Sequence, residues 1–220
     1  RLIVTSATYR QSSSTFQSRV QSGQPKLDIG ISSYTDSVNT LLWRQNRRKL
    51  DAEAVRDATL FVAGKLDPKL GGPAFQDFIV EKPEHSPHYE YHLHDPDDPK
   101  SHRRSIYRFL VRSQTQPFMT TLDCADPSMQ VGKRNESVSA LQALALLNNG
   151  LMVTMAKHFA AKLEAAGGDL PTKVERAFRE ALARAPSAEE KANLTTYAEQ
   201  HGLANACRVL FNLNEFAFVD

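Results

Sequence analysis

The sequence predicts a mainly α fold: a helical, bundle-like C-terminal half joined to an irregular, loop-rich middle in which a short strand pair is allowed. Three observations carry this expectation. Beyond Arg134, apolar residues recur at helical spacing between clear stops at Gly167-Gly168-Asp169 and Ala185-Pro186-Ser187. From Asp67 to Pro99, by contrast, the chain is rich in Pro, Gly, His and Asp, which favour turns over packed helices. With 220 residues, of which 41% are hydrophobic, the chain is long enough to bury one sizeable core. The organisation read from this is a single domain over 1–220, with a loop-rich insertion at 67–100 and an antiparallel helical part at 135–220.

Taken in order, Leu2 to Tyr9 read as the end of a helix, and Arg10 to Gln24 as a polar surface loop. Leu41, Leu42 and Trp43 form a short apolar plug before the basic run Arg44, Arg47, Arg48 and Lys49. Asp51 opens a helix whose stripe is Ala54, Val55, Ala58, Phe61 and Val62, with Gly64 as its stop. Ser105 to Ser113 fits a helix through Ile106, Phe109 and Leu110, or a strand face through Ser105, Tyr107, Phe109 and Val111; its length favours the strand.

Ser137 or Ser139 then caps a helix through Leu141, Leu144 and Leu147, with a break near Asn148-Asn149-Gly150. Met152 to Ala165 resumes it. Pro171 begins the next helix, where its missing N–H costs nothing, with Val174, Ala177, Phe178, Ala181 and Leu182 as its stripe. Ser187 with Glu190 makes a capping box, and a last helix holds Ala206, Val209, Leu210 and Leu213.

Several function classes are excluded at this level. A net charge of +2, from 27 basic and 25 acidic residues, gives no bulk attraction for nucleic acid. No apolar run has the length for membrane insertion. Cys124 and Cys207 are too few and too far apart for a zinc module or a disulfide framework, although one bond between them stays open in an exported setting. There is no Cys-x-x-Cys-His, so the segment does not itself attach a c-type haem in the usual way.

Two clusters invite chemistry. Five of the seven histidines, His85, His88, His92, His94 and His102, fall in one stretch. Were Pro87 to Asp95 extended, His88, Glu90, His92 and His94 would share a face and could hold a divalent transition metal, so His88, His92 and His94 are its candidate ligands. Prolines at 83, 87, 96 and 99 argue instead for a solvated loop. The second cluster is Arg44, Arg47, Arg48, Arg103, Arg104, Arg108, Arg112 and Arg134, whose guanidinium groups suit planar anions. Its plainer reading is internal pairing with Asp51, Glu53, Asp57 and Asp123. Leu141, Leu144, Leu146, Leu147, Leu151 and Met152 read as core rather than as a face for a partner helix.

Several phrases carry a resemblance in one order along the chain. They are Thr5 to Ser13, Asn39-Thr40-Leu41-Leu42-Trp43-Arg44, Arg48 to Asp57, Gly71-Gly72-Pro73, Arg103 to Arg108, Gln142 to Asn148, and Leu213-Asn214-Glu215-Phe216. Together they resemble the planctomycete-specific domain of unknown function that ends exported, multi-domain proteins carrying cytochrome c-type domains. Leu122-Asp123-Cys124-Ala125-Asp126 departs from the Phe-Asp-x-Pro-Asp pattern of that family. The resemblance implies that the family's opening portion lies before Arg1. It also implies a periplasmic or otherwise exported setting, a c-type haem in a separate domain of the parent, and other domains of that parent as partners.

The polar members of these phrases are the binding candidates: Trp43, Arg44, Glu53, Arg56, Asp57, Arg103, Arg104, Tyr107, Gln142, Asn148, Asn214 and Glu215. They either line one pocket or form a buried network fixing helix ends. Side chains each buried and matched to a partner favour an accessory or scaffold module that packs against redox domains and helps to place a polysaccharide or small organic ligand near the haem, whereas convergence on an open cleft with an unpaired carboxylate favours an enzyme. An enzyme acting on carbohydrate, with Glu53, Asp57 or Glu215 as acid or base and arginines holding an anionic sugar, is the alternative. A third class, an interaction module, would show a large exposed apolar patch.

Overall fold

The structure, a computed structural model, describes residues 39–40, 46–81 and 87–219. The helix at Leu2 to Tyr9, the loop at Arg10 to Gln24, the plug Leu41 to Trp43, Arg44 and His85 lie outside the described residues. The chain separates into two units, Arg1–Lys49 with Phe218–Asp220, and Leu50–Ala217. In the first, strand β1 (Arg48–Lys49) pairs antiparallel with β4 (Phe218–Val219), and Asn39 Nδ2 donates to Asn46 Oδ1 at 3.1 Å.

In the second unit, Asp51 precedes α1 (Ala52–Val62), which buries Ala52, Val55, Arg56, Thr59, Leu60 and Val62. Phe61, placed on the apolar stripe from sequence, is instead 69% exposed. The reason is helical phase. Polar Arg56 and Thr59 occupy the buried face alongside Ala52, and nine positions of about 3.6 residues per turn carry Phe61 to the opposite side.

The middle is irregular, as its composition predicts. It contains the antiparallel pair β2 (Ile79–Glu81) and β3 (His88–Glu90), and 3-10 turns at Tyr91–Leu93, Pro99–His102 and Ser105–Tyr107. The expectation of a strand over Ser105 to Ser113 is corrected. Phe75 N donates to Tyr107 O at 2.9 Å and Phe109 N to Phe75 O at 2.8 Å, so one isolated bridge replaces a ladder.

Helix α2 (Pro117–Thr121) leads to the helical part: α3 (Ala140–Asn148), α4 (Gly150–Ala165), α5 (Leu170–Leu182), α6 (Ala188–His201), α7 (Leu203–Phe211) and α8 (Asn214–Ala217). Local chemistry sets the ends. The side chains of Ser139, Asn149, Asp169 and Ser187 accept from backbone N–H groups in the first turns of α3, α4, α5 and α6, and Ser187 with Glu190 closes a capping box. Ala183 takes the left-handed conformation, φ 56°, just after α5.

The core lies between α4 and α7, where Phe159 stacks on Phe211 with centroids 5.8 Å apart and Met152, Met155, Leu163, Val174 and Leu210 are enclosed. Leu146 and Met152 are buried as expected. Leu141 and Leu144 are not core, being 70% and 53% exposed. The buried face of α3 is set instead by Gln142, whose amide donates to Asp123 Oδ2 at 3.1 Å and Ser137 Oγ at 2.9 Å. Among the described residues no helix is long and apolar enough to cross a membrane.

Candidate functional site

The described binding candidates do not meet in one pocket. All but Asn214 divide among five polar clusters on the second unit, while Trp43 and Arg44 lie outside the described residues.

The largest cluster centres on Arg56, which α1 carries into the interior. One terminal nitrogen donates to Arg103 O at 3.0 Å and Ser105 Oγ at 3.2 Å, and the other donates to Ser101 O. Burial lowers its pKa to about 10, against the opposing charge of Asp57. Asp57 Oδ1 accepts from Ser105 N at 2.8 Å and Ser105 Oγ at 2.7 Å, and Arg104, exposed, lies 4.0 Å from Asp57 Oδ2. Arg103 reaches the other way. Its guanidinium donates to Gly71 O and Pro73 O and lies 4.1 Å from the centre of the Tyr107 ring, while Tyr107 Oη accepts from Gly71 N at 2.8 Å. Arg56, Asp57, Arg103 and Tyr107 therefore fasten the loop at 69–73 and the 3-10 turns to α1.

The other clusters are smaller. Glu53 accepts from Arg134 at 2.5 Å and lies 3.7 Å from Cys124 Sγ. Burial pushes its carboxyl up, but the hydrogen bond and charge of Arg134 outweigh this and hold it below the ordinary value. Gln142 joins Asp123 and Ser137 as described. Asn148 Oδ1 accepts from Arg208 at 2.6 Å, and Arg208 also donates to Leu147 O, tying α7 to the end of α3. Glu215 accepts from Arg184 Nε at 2.6 Å, and Arg184 also binds Glu190 at 2.6 Å. Asn214 is exposed at the start of α8.

The expected pairing of arginines with Glu53 and Asp57 is found. Among its partners, Asp123 accepts from Ser137 and Gln142. Sequence reading missed Asp77, whose buried carboxylate lies 3.7 Å from Arg108 and whose pKa is raised by burial against the lowering effect of Arg108 and Arg56. It also missed Arg184 and Arg208, since nothing local marks them as the partners of distant residues.

The metal reading loses its geometric premise. The extended segment covers only His88–Glu90, and the 3-10 turn Tyr91–Leu93 breaks the row of alternate side chains. His92 Nδ1 lies 3.1 Å from Glu90 Oε2, and His94 is turned elsewhere with its Nε2 buried and unpartnered. Among the described residues no three His, Cys, Asp or Glu side chains form a group able to hold a metal ion. Both cysteines are free; burial pushes the Cys207 thiol up to about 12.

A cleft of about 560 Å³ opens between the 67–79 segment and the turns at 94–103. Arg103 and His94 are the sequence candidates that line it, joined by Lys69, Lys100 and Ile79.

A sequence profile of PSD1, described as a protein of unknown function (DUF1553), matches residues 1–198. The chain belongs to that family. Comparisons with curated proteins and with solved structures each found no match. The PSD1 membership agrees with the resemblance drawn from the ordered phrases. In this PSD1 chain, the phrases within the described second unit include internal fastenings: Arg56-Asp57 grips Arg103 to Ser105, and Gln142 and Asn148 secure the two ends of α3.

Proposed function

We propose that the chain is a non-catalytic accessory module of an exported, cytochrome c-type multi-domain protein, packing against the redox domains of its parent and helping to place a carbohydrate or small organic substrate near the haem. One observation supports the non-catalytic half of this reading: every carboxylate offered as acid or base is already engaged. Glu53 is held by Arg134, Asp57 by Ser105 and Arg56, and Glu215 by Arg184. A general acid or base needs a group free to exchange its proton with substrate. Asp77 has the raised proton affinity such a group needs, but it is buried against Arg108.

The exported setting and the haem-bearing parent rest on the resemblance. The chain does not fit as the haem's own attachment site, because Cys124 lies beside Glu53 and Cys207 is buried in α7, with neither in a Cys-x-x-Cys-His. The test is lysine-directed cross-linking of the intact parent protein. Cross-links between this chain and the haem-bearing domain are expected, and cross-links confined within each would sink the packing claim. Release of reducing ends from acidic polysaccharides, abolished by Glu53→Gln, would instead establish the carbohydrate-active enzyme.

A further inference from the structure

We infer that the cleft beside Arg103 is a binding site for small organic anions with an apolar body, of the aryl- or alkyl-carboxylate class. Its volume, about 560 Å³, falls within the roughly 300–1,000 Å³ typical of small-molecule sites. The lining combines two chemistries. Pro73, Ala74, Phe75, Phe78 and Ile79 supply carbon, whereas Lys69, Lys100 and Arg103 supply positive charge at the edge.

The two acids in the lining, Asp67 and Asp98, make no ion pair with those cations among the described residues, and each turns a carboxylate oxygen to the backbone. Asp67 Oδ1 accepts from Lys69 N at 3.0 Å, and Asp98 Oδ1 accepts from Lys100 N at 3.0 Å. Both lysine side chains are exposed, and neither ammonium has an ion-pair partner among the described residues. A second observation points the same way. His94 Nε2 and Arg103 Nε are buried without a hydrogen-bond partner, and both residues line the cleft. Buried polar atoms in folded proteins are nearly always satisfied.

A neutral sugar fits less well. Sugar rings stack on open aromatic faces, but Arg56 lies 5.0 Å from the Phe75 centroid, and Phe78 is packed by Tyr89, Tyr91 and Phe109. What remains is a carbon-lined trough with a cationic edge. Arg103 fixes that edge, because its η nitrogens hold the Gly71 and Pro73 carbonyls and thus the loop bearing Lys69.

This inference stands apart from the accessory-module reading, since it concerns the isolated chain and that reading concerns its parent. The test is calorimetric titration of the 220-residue chain with 4-phenylbutyrate, 4-phenylbutanol and acetate. Saturable one-site binding is expected for 4-phenylbutyrate, and about tenfold weaker binding for each of the other two. The Lys69→Gln/Lys100→Gln variant, altered only at exposed side chains, is expected to bind 4-phenylbutyrate about tenfold more weakly with an unchanged Tm, the size expected for losing two exposed charge contacts. His94→Gln gives a further loss. Absence of saturation, equal binding of the alcohol or of acetate, or an unaffected lysine variant would each overturn the assignment.

Discussion

In the helical part, from Ala140 to Phe211, stability comes from carbon: Phe159 on Phe211, enclosed methionines and leucines, and polar residues confined mainly to caps and surface pairs. In the irregular part, among the described residues between Leu66 and Val111, the short β2–β3 pair is supplemented by a few guanidinium groups that hold carbonyls outside any ladder. Arg56 satisfies Ser101 O and Arg103 O, and Arg103 satisfies Gly71 O and Pro73 O. The contrast teaches that backbone polarity, which helices satisfy internally, must be met by side chains where the chain is irregular. One arginine can then matter as much as a core aromatic.

The sharpest attempt to break this comparison sets Arg56→Met beside Phe159→Ala. Each is expected to cost about 3–5 kcal/mol in urea unfolding, the first by stranding buried carbonyls and Asp57, the second by opening a cavity. A cost for Arg56→Met well below that of Phe159→Ala would undo the claimed equivalence. Arg103→Ala comes next, at about 1–2 kcal/mol. Its signature is local: hydrogen exchange should quicken at residues 67–76 while the amides of α4 and α7 keep their protection. Ser187→Ala should cost about 1 kcal/mol by removing the acceptor for Glu190 N, seen as a small drop in Tm with no local opening of the middle.

The smallest effect is electrostatic. The Arg184 guanidinium hydrogen-bonds Glu190 and depresses its pKa to about 2 from 4.5. A depressed carboxylate stabilises the fold above its unfolded pKa, and that contribution is lost as pH falls from 4.5 toward 2. Because Glu190 is 37% exposed, solvent screening keeps the term small. Acid titration of stability should show this step in the parent chain and lose it in Arg184→Gln.

Legibility followed the same divide. Ser139, Asn148 to Gly150, Pro171 and Ser187 mark helix ends through interactions spanning a few residues, so they could be read in order along the chain. Phe61 and Leu141 could not be placed, because the inward face of each helix is set by a polar residue, Arg56 or Gln142, whose partners lie far away in sequence. The same holds for the site. The phrases of the family were visible, but whether Glu53 faced substrate or Arg134 depended on a contact spanning 81 residues. The cleft was invisible for a related reason: Lys69 and Lys100 look like ordinary surface lysines until the loop held by Arg103 brings them to one rim.

The second unit begins and ends at the same place, since Leu50 N donates to Ala217 O at 2.8 Å. A body whose entry and exit are neighbours can be spliced into a host chain without stretching either flank. Transplanting residues 50–217 into a tight surface turn of an unrelated carrier would leave the carrier's own backbone path almost undisturbed, and the graft should unfold as a separate calorimetric transition.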